Sequence, residues 1–187
     1  MSDVTRLALI RHGESQAAVD GVVAGAQGCS GLSERGRAQA EALRDRLAGT
    51  GELTADVLMA STLPRAVETA EIIAPALGGP DIVRDCDLCE LHPGECDALT
   101  WLEYDERYGV DMNADPFAPI SPGGESLAEF NLRVGRALTR LAQDHDGRSV
   151  VVACHGGVVV GSLVSFLGLP AQRPLPADLP VTNTSIT

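Results

Sequence analysis

Three observations predict an α/β fold of three layers, with helices on both faces of a mainly parallel central sheet. Strand-like and helix-like segments alternate along all 187 residues. One segment, 149–154, is a continuous apolar and β-branched run of the kind found at the centre of a parallel sheet. No internal repeat or low-complexity stretch interrupts the alternation, and the length suits one domain, residues 1–187.

The elements follow in order. Residues 4–10 read as a short buried strand ended by Gly13. Residues 33–48 carry apolar side chains at helical spacing, with Gly49 and Gly51 after them. A second short strand spans 56–60. A helix over 62–77 accommodates Pro64 in its first turn, and Gly78, Gly79 and Pro80 stop it. Residues 81–84 form a weak third strand. Segment 86–123 is less regular; it holds Cys86, Cys89 and Cys96, the only Trp and both Tyr. Within it, 98–108 reads as a short helix, and 115–124, rich in Pro and Gly, as a loop. Ser126 and Glu129 make a capping box. Leu127, Phe130, Val134, Leu138 and Leu141 then form an apolar stripe, which predicts a helix over 126–144. The strand 149–154 leads into a helix from about 157 to 167. Four prolines make 170–180 irregular, and 182–187 reads as a strand just beginning where the chain stops.

Composition narrows the function. All 14 basic residues are Arg, which excludes a Walker-type phosphate loop, a Schiff-base lysine and a lysine base. With 26 acidic residues the net charge is −12 and aromatics are 3%, so nucleic acid is not an expected partner. An anionic small molecule would need locally concentrated Arg. No segment reaches the roughly 20 apolar residues of a membrane span, and the N-terminus has no basic region followed by an apolar core. Five cysteines, an odd number, read as reduced thiols in a cytoplasmic protein. The apolar stretch 158–169 suits either core or a self-association surface.

Ligands of such sheets bind beyond the C-terminal strand ends. The first strand runs into Arg11-His12-Gly13-Glu14, the second into Ser61-Thr62-Leu63-Pro64-Arg65, and the central strand into His155-Gly156-Gly157. Two His and two Arg therefore emerge on one sheet edge, with glycines that let backbone N–H groups approach a ligand.

In this order the motifs resemble those of the histidine phosphatase superfamily, which includes the phosphoglycerate mutases. Arg11-His12-Gly13-Glu14-Ser15 resembles its signature, and Ser61 to Ala66 its second arginine motif. Cys154-His155-Gly156-Gly157 resembles its second histidine motif. Leu32 to Gln39 and Gly123 to Ser126 match its helix entries, so the resemblance spans almost the whole chain. It implies that His12 is a nucleophile forming a phosphohistidine. Arg11 and Arg65 would clamp phosphate oxygens bidentately, with Gly156 beside them. His155 would stabilise charge on the transferring group. Glu90 stands at the position of the family's proton donor, and Glu95 is its rival. No metal or other cofactor is implied.

The pattern departs from the family in places. Ala18 stands where many members carry Asn, and Cys96 where phosphatase members often carry a large aromatic. Members usually continue past the last strand, which leaves a truncated or unusual C-terminus as an expectation. Ser15 suits either a phosphate contact or a helix cap. His92, two residues after Glu90, is a candidate for contact with substrate. Trp101 and Tyr104, at helical spacing, read as core. Cys86, Cys89, His92 and Cys96 hold four possible zinc ligands, but their spacing matches no common finger, so they read as ordinary thiols beside the site. A regulatory Cys86–Cys89 disulfide is the other alternative. The short central region favours a phosphatase of a small phosphorylated metabolite over a mutase or a non-catalytic phospholigand-binding domain.

Overall fold

The computed structural model describes residues 4–170 and 179–187, so 171–178 of the predicted irregular stretch 170–180 lie outside the described residues. Four strands, β1 (Arg6–Arg11), β2 (Val57–Ala60), β3 (Ile82–Arg84) and β4 (Ser149–Cys154), form a sheet in the order β1-β4-β2-β3, with every pair parallel. The β-branched run 149–154 is central, as its composition predicts. Val150, Val152 and Cys154 face one side, and Val151 and Ala153 the other, all fully buried.

Each sheet face is covered by helices whose apolar spacing fits it. On one face α5 (Leu127–Asp144) supplies Phe130, Val134, Leu138 and Leu141, and α6 (Gly156–Phe166) supplies Val158 and Val159. On the other, α2 (Glu34–Thr50) supplies Leu43 and Leu47, and α3 (Pro64–Ile73) supplies Ala70 and Ile73. Caps set the boundaries. Ser33 Oγ accepts from Gly36 N to start α2, and the Ser126–Glu129 capping box starts α5. The predicted helix 62–77 starts at Pro64, and its last turn, Ala74–Leu77, tightens to a 3₁₀ helix. In the irregular segment, Thr100 and Glu103 form a second capping box for α4 (Trp101–Arg107).

The helices that follow adjacent strands β1 and β4 lie on opposite faces of the sheet, α2 on one and α6 on the other. That divergence opens a crevice at the C-terminal ends of the two strands, the place where doubly wound sheets take ligands. The last residues pair with β1 in the antiparallel sense: Leu9 and Thr187 exchange both backbone hydrogen bonds, and Ile10 bridges Ile186. Much of the apolar stretch 158–169 is core, with Val158, Val159 and Val164 buried; Phe166 and Leu167 are exposed. Among the described residues no helix is long and apolar enough to cross a membrane.

Candidate active site

His12 sits where β1 ends, and its backbone is held from two sides. Its N–H donates to Cys154 O of β4 at 2.9 Å, and its carbonyl accepts from Asn183 Nδ2 at 2.9 Å. Gly13 follows because two backbones cross there. A Cβ on Gly13 would stand 2.3 Å from Gly36 O, and one on Gly36 would stand 2.0 Å from Glu14 O. The Gly36 of the α2 entry thus belongs to the same construction as the Arg-His-Gly turn. Thr69 Oγ1 accepts from Gly13 N and donates to Arg65 O, tying the turn to α3.

The His12 ring has a defined orientation. Nδ1 lies 2.5 Å from Gly13 O, which can only accept, so Nδ1 carries the proton. Nε2 accepts from Arg65 Nε at 3.0 Å, so its lone pair is directed at that guanidinium. Arg65, itself buried, also donates to Ala24 O at 2.9 Å. The Ala24 loop is in turn held by Asp97, whose carboxylate accepts from Gly25, Gln27 and Gly28 N–H groups.

His155 is fully buried, its ring 5.1 Å from that of His12 in an edge arrangement. Its Nε2 lies 2.7 Å from Ser61 Oγ, which also accepts from Leu63 N. Its Nδ1 and the Nε of Arg11 are buried and find no hydrogen-bond partner among the described residues. Arg11 is positioned by a bond from Nη1 to Val181 O and lies against Gly156, where a Cβ would be 3.5 Å from its Nε. Two buried, unsatisfied donor positions next to a third donor, the Arg65 Nε that rests on His12 Nε2, form a place for an anion's oxygens.

Burial pushes the His12 imidazole down to about 3, helped by the positive charge of Arg65 and Arg11 and opposed by its bond to Gly13. Burial, then Arg65 and His12, hold His155 well below its ordinary range. Both rings are therefore neutral at physiological pH, as a nucleophile requires. The sign for stability follows. The unfolded chain protonates these histidines as pH falls through about 6.5, and the folded chain does not. Stability is full above that value and declines as pH falls, His12's share being exhausted near pH 3. Urea midpoints measured between pH 7.5 and 5 should fall with acidification, and His12→Ala should flatten the decline.

A cavity of about 430 Å³ opens at this point, walled by Arg11, His12, Ser15, Arg65, Glu90, Trp101, Met112 and Asn183 among others. Glu90 reaches it from the irregular segment, and its Oε2 accepts from Gly157 N, in the first turn of α6, at 3.0 Å. Gly157 is required for that placement, since a Cβ there would stand 2.2 Å from Glu90 Oε1. Glu95, the rival, is exposed and meets Tyr108 Oη at 3.4 Å instead. The structure thus brings Arg11, His12, Arg65, Glu90, His155 and Gly156 together.

Of the two roles open to Ser15 the structure shows the cap, while the expectations for His92 and Trp101 are corrected. Ser15 caps a short helix, α1 (Gln16–Asp20), that periodicity did not reveal; its oxygen accepts from Ala18 N at 3.2 Å while the residue still borders the cavity. His92 does not enter the cavity. Its N–H is bound by Glu125, and its ring lies between Glu125 and Cys86 in a neighbouring hollow. Trp101 is not core: it is 50% exposed and forms cavity wall, because the inward face of α4 is taken by Tyr104. Sequence reasoning missed Ser61 as the partner of His155, and also Thr69 and Asn183. Asn183 carried a signal, being polar at the start of a terminal strand; Ala18, where many members of the resembled family carry Asn, borders the same cavity.

The profile of the histidine phosphatase superfamily (branch 1) matches residues 7–187. The chain belongs to that superfamily. The histidine phosphatase sequence is 36% identical over 162 residues to a metal-independent phosphoserine phosphatase of Arabidopsis thaliana, covering 84% of this chain and 67% of the relative. It is 31% identical over 187 residues to a 2,3-bisphosphoglycerate-dependent phosphoglycerate mutase of Brucella anthropi, covering 96% and 88%. Among solved structures it resembles a mycobacterial glucosyl-3-phosphoglycerate phosphatase in complex with VO3, with TM-score 0.80, 28% identity, and coverage of 97% and 88%. Histidine phosphatases thus include both hydrolases and mutases among this chain's relatives, and the choice between them falls to the site.

Proposed function

We propose that this protein is a phosphomonoester hydrolase that passes phosphate from a small metabolite to His12 and then to water, with no metal in either step. The His12 ring carries the reading, with Nδ1–H on Gly13 O and the Nε2 lone pair at the phosphate end of the cavity. A phosphoryl group entering there takes over the Arg65 Nε donor and provides acceptors for Arg11 Nε and His155 Nδ1. Nε2 bonds to phosphorus as the phosphorus–oxygen bond of the ester breaks, and Glu90 gives its proton to the departing oxygen. Glu90 then takes a proton from water, whose oxygen bonds to phosphorus as the bond to Nε2 breaks. Positioning and electrostatics carry the transfer.

The far wall of the cavity supports a hydrolase over a phosphoglycerate mutase. Val22, Val23, Trp101, Met112 and Ile120 line it, and Arg11 and Arg65 are its only cationic side chains among the described residues. A phosphoglycerate brings a carboxylate in addition to its phosphate and would call for a further cation. The favoured substrate has one phosphate on a neutral or apolar alcohol, recognised by residues of 86–123. Phosphate release from an aryl phosphate in EDTA, followed by a panel of monophosphates, tests this. Turnover without metal and preference for neutral alcohols are expected; dependence on an added divalent cation, or phosphate transfer between phosphoglycerates, would refute it.

Gly157→Ala supplies a check on the acid. Its Cβ would displace the Glu90 carboxylate, so turnover of alkyl phosphates should fall about 10²-fold. Combined with Glu90→Gln the loss should be no greater than that of Glu90→Gln alone; additive losses would place the damage elsewhere.

A further inference from the structure

The side chains of Cys86, Cys89 and His92 converge outside the phosphate cavity, on a neighbouring hollow that shares Glu90, Leu91 and Pro93 with the cavity wall. Their ligand atoms all lie within 4.8 Å of one another, and Cys86 Sγ is 3.6 Å from His92 Nε2. Zinc bonds of about 2.3 Å to sulfur and 2.0 Å to nitrogen, at tetrahedral angles, place sulfur and nitrogen about 3.5 Å apart. Cys96, in the same run of sequence, is excluded: it is buried on the far side of the loop with its thiol on Pro93 O.

The surroundings are those of a held site. Cys86 and Cys89 lie at the two ends of one 3₁₀ turn, with Cys89 N bonded to Cys86 O. Arg133 pins the backbone of that turn, donating to the carbonyls of Asp87, Cys89 and Glu90. The His92 Nδ1 faces Glu125 Oε2 at 3.6 Å, which turns Nε2 toward Cys86. Glu125 is itself fixed by two 2.7 Å bonds from Arg133. A carboxylate behind a ligating histidine is the usual outer partner at zinc. Cys89 is buried and Cys86 exposed, so the site is anchored inside and reachable from solvent.

We propose that Cys86, Cys89 and His92 form a zinc site, with two thiolates, one imidazole and a solvent water as the fourth ligand. Binding one zinc releases two protons, one from each thiol, and involves no change of oxidation state. The metal takes no part in phosphoryl transfer. It braces the turn whose next residue is Glu90, and its test reads metal binding and stability rather than turnover, so it stands or fails separately from the hydrolase reading.

The test uses the full chain, reduced, stripped with chelator and titrated with cobalt, then zinc. One equivalent of cobalt should bind, with a sulfur-to-cobalt charge-transfer band and visible bands of tetrahedral intensity, and one equivalent of zinc should displace it. Zinc should raise Tm by about 5 °C. Cys86→Ser and Cys89→Ser should each weaken binding on the order of 100-fold or more and diminish the sulfur band. His92→Ala should weaken binding but keep that band. His12→Ala should bind as wild type, which separates this site from the phosphate site. A sulfur band undiminished in Cys86→Ser overturns the proposal. So does a reduced chain that binds no cobalt, including one that forms a Cys86–Cys89 disulfide on mild oxidation.

Discussion

His12→Ala should lower turnover on the order of 10⁴-fold or more, for aryl and alkyl phosphates alike. No second imidazole in the cavity offers a lone pair at the position of Nε2. The Ser15 oxygen is engaged in the cap of α1, and His155 presents Nε2 to Ser61, away from the substrate. The variant should fold, since the turn around His12 is held by backbone bonds to Cys154 and Asn183 and by the Gly13–Gly36 crossing, none of which uses the ring. Phosphate binding should weaken much less than turnover, because Arg11, Arg65 and His155 remain. Added imidazole should restore part of the rate with aryl phosphates by entering the space the ring leaves. Steady-state kinetics, with thermal unfolding as the control for folding, checks this. A variant that retains a tenth of wild-type turnover would remove His12 from the reaction.

Glu90→Gln is the second large effect, and it should depend on the leaving group. Gln keeps an oxygen to accept from Gly157 N, so the side chain can hold its place while losing the proton it would donate. An alkoxide is a poor leaving group and needs that proton; a nitrophenolate scarcely does. Losses of about 10²- to 10⁴-fold are expected for alkyl phosphates, against less than about 10-fold for a nitrophenyl ester. Rates plotted against leaving-group pKa should be steeper for the variant than for wild type. Parallel lines would mean that Glu90 does not deliver the proton and acts only in binding.

The parts of the fold readable in the sequence were those set by local chemistry. The run 149–154 announces a central strand, and Ser126 with Glu129 announces the start of α5, because both signals lie within a few residues of what they determine. The site was readable for a related reason: Arg11, His12, Arg65 and His155 stand at or just beyond strand ends, and parallel strands bring their ends together. What was not readable depends on contacts across the chain. Asn183 reaches the His12 carbonyl from 171 residues away, and Ser61 meets His155 across 94. Trp101 and His92 were misplaced because each lies in the irregular segment, where Tyr104 and Glu125 decide which way the neighbouring side chains face. The three converging side chains of Cys86, Cys89 and His92 were visible as spacing, but only the fold separates them from Cys96.

The most direct measurement is to quench the enzyme within one turnover, in EDTA, after mixing with a phosphate-labelled substrate, and to locate the label on the protein. The account predicts a phosphoramidate on His12, labile to acid and stable to base, formed and consumed at rates compatible with turnover and absent from His12→Ala. Hydrolysis that proceeds at the wild-type rate with no label on the protein, or with label on another residue, would contradict it.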